Sequence, residues 1–382
     1  MTTFRQLLDQ FEESAASKTA KGRTFEVFCE QFLRTDPIQT ERFEDVWSWM
    51  DWPGRRGRTD TGIDLVAKER GTGHLVGIQC KFYAPRAVLD WKQVSTFVGM
   101  LGQPDFHSGL IISTAGKESK NLQPNLDNNS KHINIWRVQD FEDSRVNWDR
   151  FTIDRPTQLH LRALKSLRPH QESAIKDVLE GFEEHDRGQM IMACGTGKTF
   201  TSLRLAEQMV GPGGTVLFLV PSINLLSQAV KAWASDARIP LNTFAVCSDT
   251  NAGKRRDAED MSPNDLSFPA STNPEELLEV MGAVMDGEHM NVVFSTYQSI
   301  DVIHECQQSQ GDGDFGIDEF DLILCDEAHR TTGADDGKGE VSHFQKVHQD
   351  EWVAAKKWLY MTATPRIYGD QTKAKAAENG IF

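Results

Sequence analysis

Phe25, Phe28, Cys29 and Phe32 recur at the i, i+3, i+4, i+7 spacing of one helix face, which predicts an amphipathic helix after Gly22. Residues 63–67 and 75–81 then read as two strands joined by a turn containing Gly71-Thr72-Gly73. Period-two alternation in the second strand sends Val76, Ile78 and Cys80 to one face and Gly77, Gln79 and Lys81 to the other. A helix over 89–101 and apolar strands at 110–113 and 133–138 follow. Further along, the rhythm changes. Short apolar runs at 190–192, 216–220, 244–246, 292–294, 322–325 and 358–361 alternate with helical stretches. That pattern predicts a parallel sheet covered by helices.

Two α/β units are therefore expected. The polar stretch 141–157, which contains Pro156, suggests the junction. We place the units at 1–150 and 166–382, with a connector over 151–165. Residues 249–275 read as a mobile surface insertion, and 308–318 as a Gly/Asp-rich loop.

The chain has 382 residues, 39% hydrophobic and 25% charged, ordinary values for globular protein. No run of 18 apolar residues occurs, so no membrane span is expected. Met1-Thr2-Thr3-Phe4-Arg5-Gln6 lacks the profile of a signal peptide. The six cysteines are scattered with no Cys-x-x-Cys pair, and several lie inside apolar strand patterns, which suggests buried thiols in a reducing cytoplasm. A net charge of −15 argues against non-specific coating of nucleic acid, but leaves room for a local groove.

Candidate chemistry in the second unit begins at Gly195-Thr196-Gly197-Lys198-Thr199, set between an apolar run and a helical pattern. Such a loop wraps phosphates in backbone N–H groups, with Lys198 on the outer phosphates and Thr199 on Mg²⁺. Met192 departs from the full motif, which has glycine there. Asp326-Glu327 follows the strand at 322–325, where open α/β sheets place ligands. Asp326 suits Mg²⁺, and Glu327 suits activation of the water that attacks the γ-phosphate. Taken alone, an Asp-Glu pair equally suits a helix N-terminus.

These residues resemble superfamily 2 helicases and translocases from about 167 to 365. The resemblance implies that Arg168 and Gln171 read the nucleotide. It places Pro221, Ser222 and Gln228, with Thr296, Tyr297 and Gln298, along nucleic acid. Asp326 to His329 match a DEAH box, and His329, Thr362 and Thr364 would couple hydrolysis to movement. Seen singly, Pro221-Ser222 is equally a strand-to-helix turn and Ser295-Thr296 equally a helix cap.

In the first unit, Asp64, Gln79 and Lys81 can meet across the hairpin as a metal-dependent phosphodiester site. This resembles the Mrr-type branch of the PD-(D/E)xK nucleases over 22–138, in which glutamine replaces the middle acid. The resemblance adds Glu26 to the metal set of Asp64 and Gln79, and makes Gln93 a weaker candidate. An inactive DNA-binding domain is the other reading. Arg55, Arg56 and Arg58, with Trp47, Trp49 and Trp52, form a loop suited either to DNA phosphates or to a Trp-filled core.

An Mrr-like mixed-sheet nuclease followed by a RecA-like first motor lobe resembles the N-terminal part of Type ISP restriction-modification enzymes. The resemblance implies ATP and Mg²⁺ as cofactors and double-stranded DNA as partner. It also implies a second lobe, coupler, methyltransferase and target recognition domain beyond Phe382. Without the second lobe's arginine, ATP is expected to bind but to be hydrolysed poorly, since such an arginine is worth on the order of a thousandfold. Residues 377–382 have the look of a cut. A Type I motor subunit, a stand-alone nuclease–helicase defence protein and a remodelling ATPase with an inactive first domain are the alternatives.

Overall fold

The computed structural model describes residues 2–13, 16–59, 62–247, 266, 270–309, 316–330, 346–349 and 352–364. Two compact units form. One comprises Met1–Leu164 with Met261–Pro269, and the other Lys165–Asp260 with Ala270–Phe382.

The first unit opens with α1 (Phe4–Glu13), α2 (Lys18–Leu33) and α3 (Pro37–Arg42). Ser17 caps α2 by accepting the Ala20 amide, and Asp36 caps α3 by accepting that of Ile38. Then come β1 (Phe43–Ser48), β2 (Leu65–Glu69), β3 (Leu75–Lys81), β4 (Val88–Leu89), α4 (Trp91–Leu101), β5 (Ser108–Ser113) and β6 (Lys117–Glu118). α5 (Leu122–Asp127), β7 (Ile133–Trp136) and α6 (Val138–Glu142) complete the unit's helices and strands. The sheet order is β1-β2-β3-β5-β7, with a small separate β4-β6 pair. The β1-β2 and β2-β3 pairs are antiparallel, whereas β3-β5 and β5-β7 are parallel. This is the expected mixed sheet flanked by helices.

The alternation in β3 divides two cores. Val76, Ile78 and Cys80 pack with Phe4, Phe25, Phe28 and Phe32 of α1 and α2. The opposite face packs against α4, where glycine is required. A Cβ on Gly77 would lie 2.7 Å from Leu101, and one on Gly109 2.3 Å from it. The stretch read as the junction is packed rather than loose. Phe141, Val146, Trp148 and Phe151 are buried in the first core, and Val146 bridges to Leu161.

The second unit contains α7 (Pro169–Glu184), β8 (Arg187–Ile191), α8 (Lys198–Met209), β9 (Thr215–Val220), α9 (Ile223–Asp236) and β10 (Leu241–Val246). It continues through β11 (Ala270–Ser271), α10 (Pro274–Val284), β12 (Met290–Thr296), α11 (Ile300–Gln308), β13 (Leu322–Cys325) and β14 (Trp358–Thr362). Seven parallel strands run in the order β11-β10-β12-β9-β13-β14-β8. The central strands β9, β12 and β13 are buried on both faces, save Thr215. Most of the predicted insertion lies outside the described residues. Its end is regular, because Ala270–Ser271 pairs with β10 and Asn273 caps α10.

Candidate active sites

At the hairpin, backbone and side-chain bonds fix the three candidate residues. Asp64 donates its N–H to Ile78 O (2.9 Å), accepts the Trp49 amide at its own carbonyl (2.8 Å), and accepts the Cys80 amide at Oδ2 (2.7 Å). Gln79 is 2% exposed, and its Nε2 donates to Gly62 O at 2.9 Å. Its Oε1 is buried without a hydrogen-bond partner. A buried amide oxygen left over in this way is a ready ligand for a hard cation. Lys81 ends the same strand, half-buried, with its carbonyl accepting the Thr114 amide at 3.1 Å.

Glu26 is half-buried on α2. Burial pushes up the touching Cys29 and Cys80 thiols, and the charges of Asp64 and Glu26 add to that push. The two carboxylates thus act on one small region between α2 and β3. Among the described residues no group of three or more His, Cys, Asp or Glu gathers as a metal site. The hairpin offers one acid, Asp64, and one amide, Gln79, with Glu26 on α2 as a second acid; all are oxygen donors, the type that suits a divalent cation. Gln93 does something else, since its Oε1 accepts the Asp90 amide at 2.8 Å in the capping box of α4.

The arginine loop is mostly committed to itself. Arg58 lies over Trp49 and Trp52, at 5.8 and 5.2 Å from the ring centroids, and pairs with Asp105 at 2.8 Å. Arg55 donates to Arg58 O and Met50 O. Arg56 is exposed, with a left-handed backbone at φ 48°.

In the second unit, the candidate residues collect at the carboxyl ends of β8, β9, β12, β13 and β14. Gly195 and Gly197 take φ values of 76° and 91°, which an L side chain rarely adopts. Gln171 is 4% exposed, accepts the Arg168 amide at Oε1 (2.9 Å) and donates from Nε2 to Thr196 O (2.9 Å). Both ends of this amide are engaged within the chain. Gln171 thus braces the loop, and its second N–H and second oxygen lone pair are left for a nucleotide, while Arg168 is exposed. The Thr199 carbonyl accepts from Trp233 Nε1 at 3.0 Å, which ties the start of α8 to α9.

Lys198 Nζ lies 3.3 Å from Glu327 Oε1, and Glu327 Oε2 lies 3.2 Å from His329 Nδ1. His329 Nδ1 is also 3.2 Å from Thr362 Oγ1, which in turn accepts the Thr364 amide at 3.2 Å. A line of polar contacts thus runs from the phosphate loop to the end of β14. Glu327 holds φ at 51°, a conformation that costs a non-glycine residue about 1–2 kcal/mol. Asp326 is 9% exposed. Burial holds its carboxyl above the usual carboxylate range, against the opposing pull of the Glu327 amide and Lys198.

The residues expected along nucleic acid divide into two groups. Ser222 and Gln228 are exposed; Ser222 Oγ caps α9 through the Leu225 amide (3.4 Å), and Gln228 donates to Asn224 at 3.2 Å. Pro221 is buried, and its carbonyl accepts from half-buried Gln298 at 3.3 Å. Thr296 and Tyr297 are corrected by burial. At 3% and 0% exposed, their side chains cannot touch an external polymer. Thr296 bonds Ser299, and Tyr297 Oη donates to Asp326 O at 2.9 Å. The apolar run 292–294, directly upstream of Ser295-Thr296-Tyr297, was the available signal that the strand end is buried.

Two such sites on two such folds define a nuclease joined to a nucleotide-dependent motor lobe. The model of the family described as "Type III restriction enzyme, res subunit" matches residues 164–367, more than half of the chain, and the chain belongs to that family. A model described as "Restriction endonuclease" matches residues 34–158.

Among solved structures, the chain is similar to the ATP-dependent Type ISP restriction-modification enzyme LlaBIII bound to DNA. Identity is 36% and the TM-score 0.81, over 97% of this chain and 23% of that one. A nuclease-deletion mutant of the Type ISP enzyme LlaGI, solved with a DNA substrate mimic, is 37% identical over 57% of this chain and 21% of that one, with a TM-score of 0.42. A probable helicase of African swine fever virus is 26% identical over 202 residues, 52% of this chain and 19% of that protein. The chain thus spans about a fifth of the length of the relatives it matches. These families imply use of a divalent metal and a nucleotide. Among the described residues no helix is long and apolar enough to cross a membrane.

Proposed function

We propose that this chain is the nuclease and first motor lobe of a Type ISP restriction-modification enzyme, using ATP and Mg²⁺ on double-stranded DNA. The observation that carries the motor reading is the Glu327 carboxylate set between Lys198 and His329 (3.3 and 3.2 Å). The likeness to LlaBIII over both units supports the pairing with a nuclease.

In the motor lobe, Gly195, Thr196 and Gly197 wrap the phosphates, with Gln171 bracing that loop and Arg168 at its rim. Lys198 neutralises the outer phosphates, and Thr199 and Asp326 hold Mg²⁺. Glu327 accepts a proton from the attacking water, and His329, Thr362 and Thr364 carry the change to the end of β14. Exposed Ser222 and Gln228 form the side that faces the DNA backbone, with Pro221 and Gln298 directly behind them. In the nuclease, Asp64 and Gln79 Oε1, with Glu26, hold Mg²⁺, which when bound polarises the scissile phosphate. Lys81 orients water and steadies the charge that builds on phosphorus. A second RecA-like lobe, a coupler, a methyltransferase and a target recognition domain on the same polypeptide, in the cytoplasm, belong to this reading.

The test is ATP-dependent cleavage of duplex DNA by the full-length protein. Asp64→Ala and Lys81→Ala should each abolish cleavage while ATP turnover persists, and Lys198→Ala should abolish both. Cleavage surviving Asp64→Ala would refute the nuclease assignment.

A further inference from the structure

Residues Tyr297–Ser299 form a single 3-10 turn at the carboxyl end of β12. Its first two side chains reach along the row of strand ends. Gln298 Nε2 donates to Pro221 O at the end of adjacent β9 (3.3 Å). Tyr297 Oη reaches past β9 and donates to Asp326 O at the end of β13 (2.9 Å). The tyrosine is fully buried among Leu217, Leu219, Ile323 and Cys325, so its hydroxyl has a fixed origin.

The bond falls on one particular peptide group. The Asp326–Glu327 peptide has its carbonyl held by Tyr297 and its N–H accepted by Asp326 Oδ1 at 2.9 Å. With both ends held, the plane of the peptide that leads into Glu327 is fixed, and Glu327 follows it in the left-handed region at φ 51°. That conformation delivers the carboxylate to Lys198 and His329. At the other end of the turn, Gln298 Oε1 is buried without a partner, so only one half of this amide is satisfied.

We propose that the Tyr297–Gln298 turn is the positioning device through which duplex DNA at Pro221–Ser222 controls Glu327. It rests on the reading of Glu327 as the group that activates water and of Ser222 as facing DNA. A shift of the Pro221 carbonyl moves Gln298, the turn carries Tyr297 with it, and the peptide that aims Glu327 is released or locked. Tyr297 is thus a positioning residue: it touches neither nucleotide nor DNA.

The experiment compares Tyr297→Phe and Gln298→Ala with the parent in the full-length protein. ATP turnover is followed across a duplex titration, and affinity for a fluorescent ATP analogue is measured alongside. Tyr297→Phe should lower turnover at saturating duplex by at least about tenfold, as expected for a misplaced general base, with nucleotide affinity unchanged within about threefold. Gln298→Ala should flatten the duplex stimulation while duplex affinity, read by the same titration, stays within about threefold; a matching loss of duplex affinity overturns the relay. Parent-like turnover in Tyr297→Phe overturns the proposal, as does a joint fall of turnover and nucleotide affinity. If Tyr297→Phe does not fold, Gln298→Ala decides, and parent-like stimulation overturns the proposal. Glu327→Gln is the control, because turnover surviving that change would unseat the reading of Glu327 itself rather than the role of the turn.

Discussion

Lys198 and Glu327 meet at 3.3 Å although 129 residues separate them, one opening α8 and the other following β13. Their side chains are 11% and 26% exposed, so the pair is shielded but not sealed. Parallel strands β8 and β13 both end at this edge of the sheet, which is how two distant segments come to share one site.

Glu327→Gln keeps the size of the side chain and removes its ability to take a proton. ATP turnover by the full-length protein should fall roughly 10²–10⁴-fold, the span of general-base catalysis, while nucleotide still binds. Lys198→Ala should instead show its loss in nucleotide affinity. Equilibrium binding beside turnover separates the two, and parent-like turnover in Glu327→Gln would remove Glu327 from the mechanism.

Gln79→Glu is expected to destabilise the nuclease unit. Gln79 Nε2 donates to Gly62 O at 2.9 Å, and a carboxylate there would set acceptor against acceptor in a site 2% exposed. An unpaired buried polar group costs about 1–3 kcal/mol, so the metal-free unfolding midpoint should drop by several degrees. The loss should shrink as pH falls, because a protonated glutamic acid can again donate to Gly62 O. A variant as stable as the parent at neutral pH would show that this bond contributes little.

Thr362→Val preserves shape at a position 1% exposed but removes the oxygen that faces His329 Nδ1 at 3.2 Å and accepts the Thr364 amide. We expect the DNA cleaved per ATP consumed to fall. An unchanged ratio would deny Thr362 a place in coupling.

Asp321 pins the opposite edge of the same sheet. It accepts the Thr215 amide at 2.8 Å and pairs with Lys356 at 2.7 Å, joining the starts of β9, β13 and β14. Burial alone would raise its carboxyl, but Lys356 and Thr215 together outweigh burial and hold it below the usual range. A lowered folded-state value stabilises above the unfolded value of about 3.9. That stability is lost as pH falls through the folded-state value. Asp321→Asn should cost about 1 kcal/mol at neutral pH, given partial exposure. The gap from the parent should close in acid denaturation, and a gap that widened in acid would contradict this origin.

Much of this was legible because the pattern and the chemistry share a period. Alternation across β3 put Val76, Ile78 and Cys80 on the face that packs on α1 and α2, and Gly71 and Gly73 marked the turn before it. Wholly apolar runs marked strands whose ends then had to carry Lys198, Asp326 and Thr362. β1 was not legible, because its outward and inward residues do not alternate cleanly. The stretch 141–157 was hidden too, since Phe141, Trp148 and Phe151 anchor it from within polar surroundings. Local motifs give residue types but not directions. Hence Tyr297 reads as a surface contact until the ring is seen in the core, and the hold of Gln171 on Thr196 O is not visible from its motif.

Gln79 has a consequence for when the proposed nuclease is armed. Its amide oxygen offers a cation a dipole where a carboxylate would offer a full charge, and Asp64 already gives one oxygen to the Cys80 amide. Attraction for a divalent ion grows with the negative charge facing it, so the hairpin alone is a shallow ion trap. A scissile phosphate brings the missing charge with it. Ion and strand then raise each other's affinity by the same factor. In the proposed nuclease, the hairpin would then fill with its ion chiefly when DNA is present.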